Sequence, residues 1–449
     1  MSRLARPFLL VFALLLLAPA AWATEVQQVK SPGGLTAWLV EDHSQPLMAV
    51  SVAWRGGAAT DPAGKEGLSY LLSGLMDEGA GDLPSEAFQD ALEDAAVRFS
   101  ADAAEDYFTV GFKTLTAHRD RAVELVHMAL TSPRLDAEPV SRIKQQVLSG
   151  IRDEVTDPGE VAGRLWERTV YGDHPYARPL EGTEASLGAL TPDDLRNWMR
   201  AALTRDRLVV GVTGDITAAE LGPMLDRLFA GLPAKSTLPA VPVPVFHGQG
   251  TLKVAEMDEK QTTLVFGQPG ITRADPDFIT ATLVNRILGG GGFTSRLTSE
   301  IREKRGLTYG IGTGLVPYAD SGIISGGSQV VNAGAGEAVK LVRQVWQEMA
   351  DNGPTEQELD DAKTYLSGNF PLKVATSGAM ASFLVSMQIY DLGIDYMDKR
   401  QQIISAVTLA DAKRVAKRLL DEKSLVIVAA GAPKGLDDAE KVEPAAAFN

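Results

Sequence analysis

Three observations predict an α+β fold made of two homologous domains. Landmarks recur along the chain at a nearly constant spacing. A proline-rich stretch separates the two copies. Each copy runs from paired strands into long amphipathic helices and closes on an apolar strand. That order argues for a mainly antiparallel sheet with helices packed on one face.

The repeat is read from five matches. Asp61-Pro62 returns as Asp275-Pro276, 214 residues later, and Gly74 falls against Gly291, 217 later. Leu148-Ser149-Gly150 returns as Leu366-Ser367-Gly368, 218 later. Ala189-Leu190-Thr191 is matched by Ala406-Val407-Thr408, and the strand 207–214 (RLVVGVTG) by 424–431 (SLVIVAAG), each 217 later. Between the copies lies LPAKSTLPAVPVPVFHGQG, whose prolines exclude a helix interior or a central strand, so it reads as an extended linker. The expected organisation is a first domain over 24–233, a linker over 234–249, a second domain over 250–433 and a tail over 434–449.

Element by element, strands are expected at 35–40 and 48–54, with counterparts at 251–256 and 262–267. Helices follow at 67–77 and 86–95, matched by 278–288 and 294–304, and then strands at 106–113 and 323–330. The long helices are placed at 119–132, 138–157 and 191–203, with 337–352, 355–370 and 409–420 in the second copy. Thr191-Pro192 supplies a cap followed by proline at the first helical position, a strong start signal.

Composition narrows the function. The net charge of −15 argues against nucleic acid as a partner. With no cysteine, neither a disulfide framework nor thiolate ligation of a metal is available. Arg3 and Arg6, the apolar run 8–17 and Ala21-Trp22-Ala23 read as a secretory leader cleaved near Ala23, which places the mature protein outside the cytoplasm, in the periplasm of a Gram-negative source.

The most informative run is LGGGGFTSRLTSEIREKRGLTYGIG, 288–312. Gly289, Gly290, Gly291 and Gly292 end one element, Thr294 or Ser295 caps a helix reaching Arg305, and Gly306 stops it before a strand. Arg302 sits on the last helical turn and Tyr309 follows on the strand. A planar bidentate donor and a phenol this close can clamp a carbonyl or carboxylate; read alone, they fit better as a surface arginine and a half-buried strand tyrosine.

No complete catalytic constellation is visible elsewhere. The five histidines (43, 118, 127, 174 and 247) are never three to five residues apart. No nucleophile elbow or P-loop occurs, and the glycine run follows a helix rather than a strand, so it fails as a dinucleotide fingerprint.

The two halves, the linker, the run 288–312 and the stretch HPYARPLEGT (174–183) together resemble the insulinase/pitrilysin family of zinc metallopeptidases, in the branch of two-domain processing-peptidase subunits. In active members the first helix carries H-x-x-E-H, and a glutamate roughly 75 residues on completes the zinc site. In this sequence Tyr70 and Gly74 stand at the histidine positions, Ser73 at the glutamate position and Gly150 at the distal ligand, with Asp153 and Glu154 one helix turn away. The resemblance therefore implies a degenerate site with no metal in this chain. It assigns Arg302 and Tyr309 to substrate carbonyl binding in trans and the run Gly289 to Gly292 to a substrate-binding loop. It further implies a heterodimer with a homologous subunit that bears H-x-x-E-H and the zinc, acting on peptide, with no membrane partner. The alternative it leaves is a non-catalytic scaffold or peptide-binding protein of the same fold.

Overall fold

The computed structural model describes residues 25–448, so the expected leader lies outside the described residues. Two six-stranded sheets organise the chain. The first is built from β1 (Gln27–Lys30), β2 (Thr36–Glu41), β3 (Leu47–Arg55), β6 (Arg98–Ala103), β7 (Tyr107–Leu115) and β8 (Leu208–Gly214), in the order β1-β2-β8-β3-β7-β6. A short hairpin, β4 (Gly79–Ala80) with β5 (Leu83–Pro84), stands apart. The second sheet uses β9 (Leu252–Glu256), β10 (Gln261–Pro269), β11 (Thr308–Pro317), β12 (Gly322–Val331), β13 (Val426–Gly431) and β14 (Glu440–Val442), in the order β14-β9-β13-β10-β12-β11. The orders superimpose. In each sheet the strand that closes the repeat enters parallel to the opening strand and antiparallel to the next, so β2 and β8 pair as β9 and β13 do. The outermost strands differ: β1 runs antiparallel to β2, whereas β14, from the chain's far end, runs parallel to β9.

The helices of the first half are α1 (Leu68–Ser73), α2 (Ser85–Asp94), α3 (Arg119–Thr131), α4 (Ala137–Glu154), α5 (Pro158–Tyr171), α6 (Glu184–Ala189), α7 (Pro192–Ala202) and α8 (Ala218–Leu228). The second half contributes α9 (Phe278–Asn285), α10 (Ala335–Asn352), α11 (Glu356–Lys373), α12 (Ser377–Ile389), α13 (Tyr396–Ala406) and α14 (Leu409–Leu419). Alternation along β3 points Met48, Val50, Val52 and Trp54 into one core with Phe88, Phe108 and Phe229. The second core gathers Leu264, Phe266 and Trp346 in the same way, and the Trp346 indole donates to Gln268 Oε1 at 2.7 Å. Each such side chain contributes about 1.5–3 kcal/mol by leaving water. Helices α7 and α14 occupy equivalent places. Thr191 and Thr408 cap them through reciprocal capping boxes with Asp194 and Asp411.

Each half's own helices pack on one face of its sheet. The opposite face is covered by a helix from the other half. Helix α12 lies across β8 and β3 of the first sheet, and α5 lies across β13 and β10 of the second. Gly211 on β8 permits this approach, because a Cβ there would stand 2.2 Å from the Ala381 carbonyl oxygen. The exchange is reciprocal, and it locks the two halves together by side-chain hydrogen bonds to backbone carbonyls as well as by apolar contact. Gln388 Nε2 donates to the Val210 carbonyl at 2.8 Å, and Trp166 Nε1 to the Val426 carbonyl at 3.1 Å.

Candidate functional site

Helix α1 begins where Gly67 adopts a left-handed conformation, and the buried Asp61 carboxylate accepts from the Ser69 amide in its first turn. That fixes the direction in which α1 presents Tyr70 and Ser73 before it ends at Gly74. The long helix α4 brings Gly150 to the same place. Tyr70, Ser73, Gly74 and Gly150 all line one cavity of about 690 Å³. Its far wall is the sheet edge β6, through Phe99, Ser100 and Ala101.

The chemistry of this cavity is not that of a zinc site. The Ser73 hydroxyl donates to the Tyr70 carbonyl at 2.7 Å, and Gly74 and Gly150 offer no side chain. Burial raises the Tyr70 phenol above its ordinary range, and the nearby Glu181 and Glu154 charges add to that. Neutral hydroxyls in this state are poor ligands and no general base. Among the described residues no group of three or more His, Cys, Asp or Glu side chains is placed to hold a metal ion. The residues present do not fit zinc.

Glu154 and Glu181 also line the cavity. The sequence places Glu154 a helix turn from the vacant ligand position, and in the fold it shares the cavity with Gly150. Glu181, carried by the 174–183 stretch, was not singled out. The buried Arg164 on α5 binds both carboxylates, with Nη2 2.5 Å from Glu154. Opposite them Arg142 Nη2 donates to the buried Glu78 at 2.5 Å. These two arginines and three glutamates thus bind one another, while Asp77, also in the lining, has no ion pair among the described residues. The edge strand β6 was not foreseen either, because RFSADA has no fully buried position to mark it.

The run 288–312 folds against the first strand of its own sheet edge. Helix α9 continues into a wider π-type turn over Arg286–Gly290. Gly289 packs on β11, where a Cβ would come within 2.5 Å of the Thr313 hydroxyl. Gly290 and Gly291 are similarly enclosed, whereas a Cβ on Gly292 would meet open space. Ser295 is the cap: its hydroxyl accepts from the Thr298 amide at 3.4 Å, and a second π-type segment spans Thr298–Glu303. The amide of Gly306 then closes on the Arg302 carbonyl at 2.9 Å.

Tyr309 is displayed by a β-bulge. The register between β11 and β12 shifts between Thr308 and Ile311. The bulge is held by Thr308, whose hydroxyl accepts from the Gly310 amide at 3.0 Å and lies 2.7 Å from the Gln329 carbonyl. A bulge re-aims the side chain it carries. Tyr309 is left 91 % exposed. The Arg302 guanidinium stacks on the ring of Phe293, 4.5 Å from its centroid, and that ring is itself 67 % exposed. Arg302 and Tyr309 share no hydrogen bond among the described residues, and neither lines the cavity around Tyr70.

Comparison with known proteins agrees with this geometry. Residues 37–184 match the insulinase (peptidase family M16) model, and residues 189–366 match the peptidase M16 inactive domain. A non-peptidase homolog from Helicobacter pylori is 26 % identical over 80 % of this chain and 82 % of its own length. A protein from Mycobacterium leprae described as an uncharacterized zinc protease is 26 % identical over 90 % of this chain and 91 % of its own. The crystal structure of a peptidase M16 inactive domain from Pseudomonas fluorescens superimposes with a TM-score of 0.86 at 29 % identity, covering 93 % of this chain and 99 % of that one. With two M16 domains in order and none of the four zinc-site side chains in the cavity that should hold them, the chain belongs to the M16 insulinase family as an inactive member.

Proposed function

We propose that this chain is the non-zinc subunit of an exported two-chain metallopeptidase. It lends Arg302 and Tyr309 to a zinc site carried by a homologous subunit with an intact H-x-x-E-H helix. The observation that carries this reading is an asymmetry within one molecule. All four chemical positions in the first half are emptied, while the second half holds Tyr309 out on a pinned bulge and stacks Arg302 on the exposed Phe293 ring. An exposed phenol and a guanidinium with no carboxylate partner among the described residues are suited to a carbonyl supplied from outside, where a donor to developing negative charge stabilises the transition state. The open edge of β6 beside the cavity offers strand addition to an extended peptide.

The test is reconstitution. The purified chain should bind no stoichiometric zinc and cleave no peptide. Mixed with an H-x-x-E-H-bearing partner from the same source, it should restore cleavage, and Arg302→Ala should lower the restored rate. An unchanged rate with Arg302→Ala overturns the assigned role. A second reading, a non-catalytic peptide-binding scaffold, is favoured by the same emptied cavity. It predicts no activating partner and no exported H-x-x-E-H chain of similar length encoded nearby.

A further inference from the structure

The duplication provides an internal comparison at a cavity separate from the one that Tyr70, Ser73, Gly74 and Gly150 line. In the second half, Asp275 and Asp277 stand at the start of α9 and are clamped by two arginines from α14. Arg414 reaches both oxygens of Asp277 at 2.8 and 2.7 Å, and Arg418 reaches Asp275 at 2.7 Å and also binds Asp277. The first half keeps one of the two acids and neither arginine: Ala63 stands where the second half has Asp277. Asp61 corresponds to Asp275 and α7 to α14, both helices starting from a capping threonine. The positions of Arg414 and Arg418 are then taken by Asn197 and Ala201.

The space those guanidinium groups would fill is open. Asp61, Asn197 and Ala201 line a cavity of about 570 Å³, closed on its other side by linker residues Leu238 to Pro242. Two further features point to something that enters it. Trp198, 3 % exposed, forms part of an apolar wall of the cavity. Asp61 is 3 % exposed, and its carboxylate accepts from the Ser69 amide and hydroxyl and forms no ion pair among the described residues. The other lining charges are engaged: Lys65 pairs with Asp194, and Arg178 donates to the Asp61 carbonyl at 3.1 Å. Burial leaves the Asp61 carboxyl pushed up to about 7, whereas the hydrogen bond from Arg418 lowers its counterpart Asp275.

We propose that this cavity is a binding site for a guanidinium group on an aliphatic stem, which takes the place held by Arg414 and Arg418 in the other half. The carboxylate of Asp61 receives the guanidinium as a planar charge-assisted acceptor. The apolar wall from Leu68, Trp198 and Leu238 takes the stem. An arginine side chain within a peptide and a free guanidino compound share this chemistry.

The test titrates the full chain by calorimetry with Nα-acetyl-arginine methylamide, with agmatine and with Nα-acetyl-lysine methylamide. Saturable one-to-one binding of a guanidino probe, at least ~10-fold tighter than the lysine probe, is expected, since an ammonium lacks the planar fork. Tighter binding of the arginine amide identifies a peptide side chain as the source, and tighter binding of agmatine identifies a free compound. Asp61→Asn should weaken binding by ~100-fold, the cost of removing one partner of a buried charge pair. Ala201→Arg and the exposed Asn197→Arg should each place a guanidinium in the cavity, abolish probe binding and raise the Tm. Absence of saturable binding by either guanidino probe, or undiminished binding in folded Ala201→Arg and Asn197→Arg, overturns the proposal.

Discussion

Trp166 of the first half donates its indole hydrogen to the carbonyl of Val426 in the second half, 3.1 Å away. The residue is 3 % exposed and sits on the helix that crosses to the other half's sheet, so one side chain joins two cores. Trp166→Phe should cost about 1 kcal/mol for the lost hydrogen bond. Trp166→Ala should cost about 3–5 kcal/mol and should also split the unfolding transition. Urea denaturation followed by tryptophan fluorescence and by far-UV dichroism checks this: coincident curves in wild type, separated curves in Trp166→Ala.

The emptied zinc position should be refillable. A Cβ on Gly150 meets nothing within 4 Å, and one on Gly74 comes within 3.3 Å of the Ile143 methyl, a side chain able to give way. The variant Tyr70→His, Ser73→Glu, Gly74→His, Gly150→Glu should therefore fold and bind one zinc per chain. Metal analysis after dialysis checks this, with wild type retaining no stoichiometric zinc. Three nitrogen and oxygen ligands plus water suffice for a catalytic zinc.

Arg302 and Thr308 should separate function from stability. Arg302 makes no ion pair among the described residues and stacks only on an exposed ring, so Arg302→Ala should change stability by less than about 0.5 kcal/mol. In the reconstituted peptidase it should lower kcat by ~100-fold, the scale of one donor to a developing oxyanion. Thr308 is buried and holds the bulge, so Thr308→Val should cost about 1–3 kcal/mol by leaving the Gly310 amide without its partner. Thermal melts and steady-state kinetics on both variants give the two readouts.

Stability should fall as pH rises through neutrality. Burial pushes the Glu167 carboxyl, on the crossing helix α5, from an ordinary 4.5 up to about 7. A carboxyl raised in the folded state contributes its full stability below about 4.5 and loses it as pH climbs to about 7. The expected loss is about 3 kcal/mol, from the size of that rise. Glu167→Gln should flatten this part of the profile. Denaturant midpoints at pH 5 and pH 8 compare the two proteins; equal slopes for both would show that Glu167 does not titrate in this window.

Much of the architecture was legible in the residues because it is local and periodic. The alternation of Met48, Val50, Val52 and Trp54 and the threonine caps at 191 and 408 declare their elements without help from the rest of the chain. Helices α5 and α12 were not read. Each lies between two cores, so α12 is apolar around much of its surface and gives no single helical stripe to recognise. Strand β6 was missed for the opposite reason, since it lies at a sheet edge and buries little.

The sequence by itself determined the duplication and the two-domain α+β class, because repeats are properties of residue type and spacing, and its resemblance to the insulinase/pitrilysin family located the emptied zinc positions. Only the tertiary structure decided that Tyr70, Ser73, Gly74 and Gly150 share one cavity with Glu154 and Glu181, and that Tyr309 is thrust outward by a bulge. It alone revealed that the halves exchange helices, and that the space filled by Arg414 and Arg418 in one half stands open beside Asp61 in the other. These outcomes depend on which distant side chains meet and on what room they leave, and the packing of both halves against each other sets both.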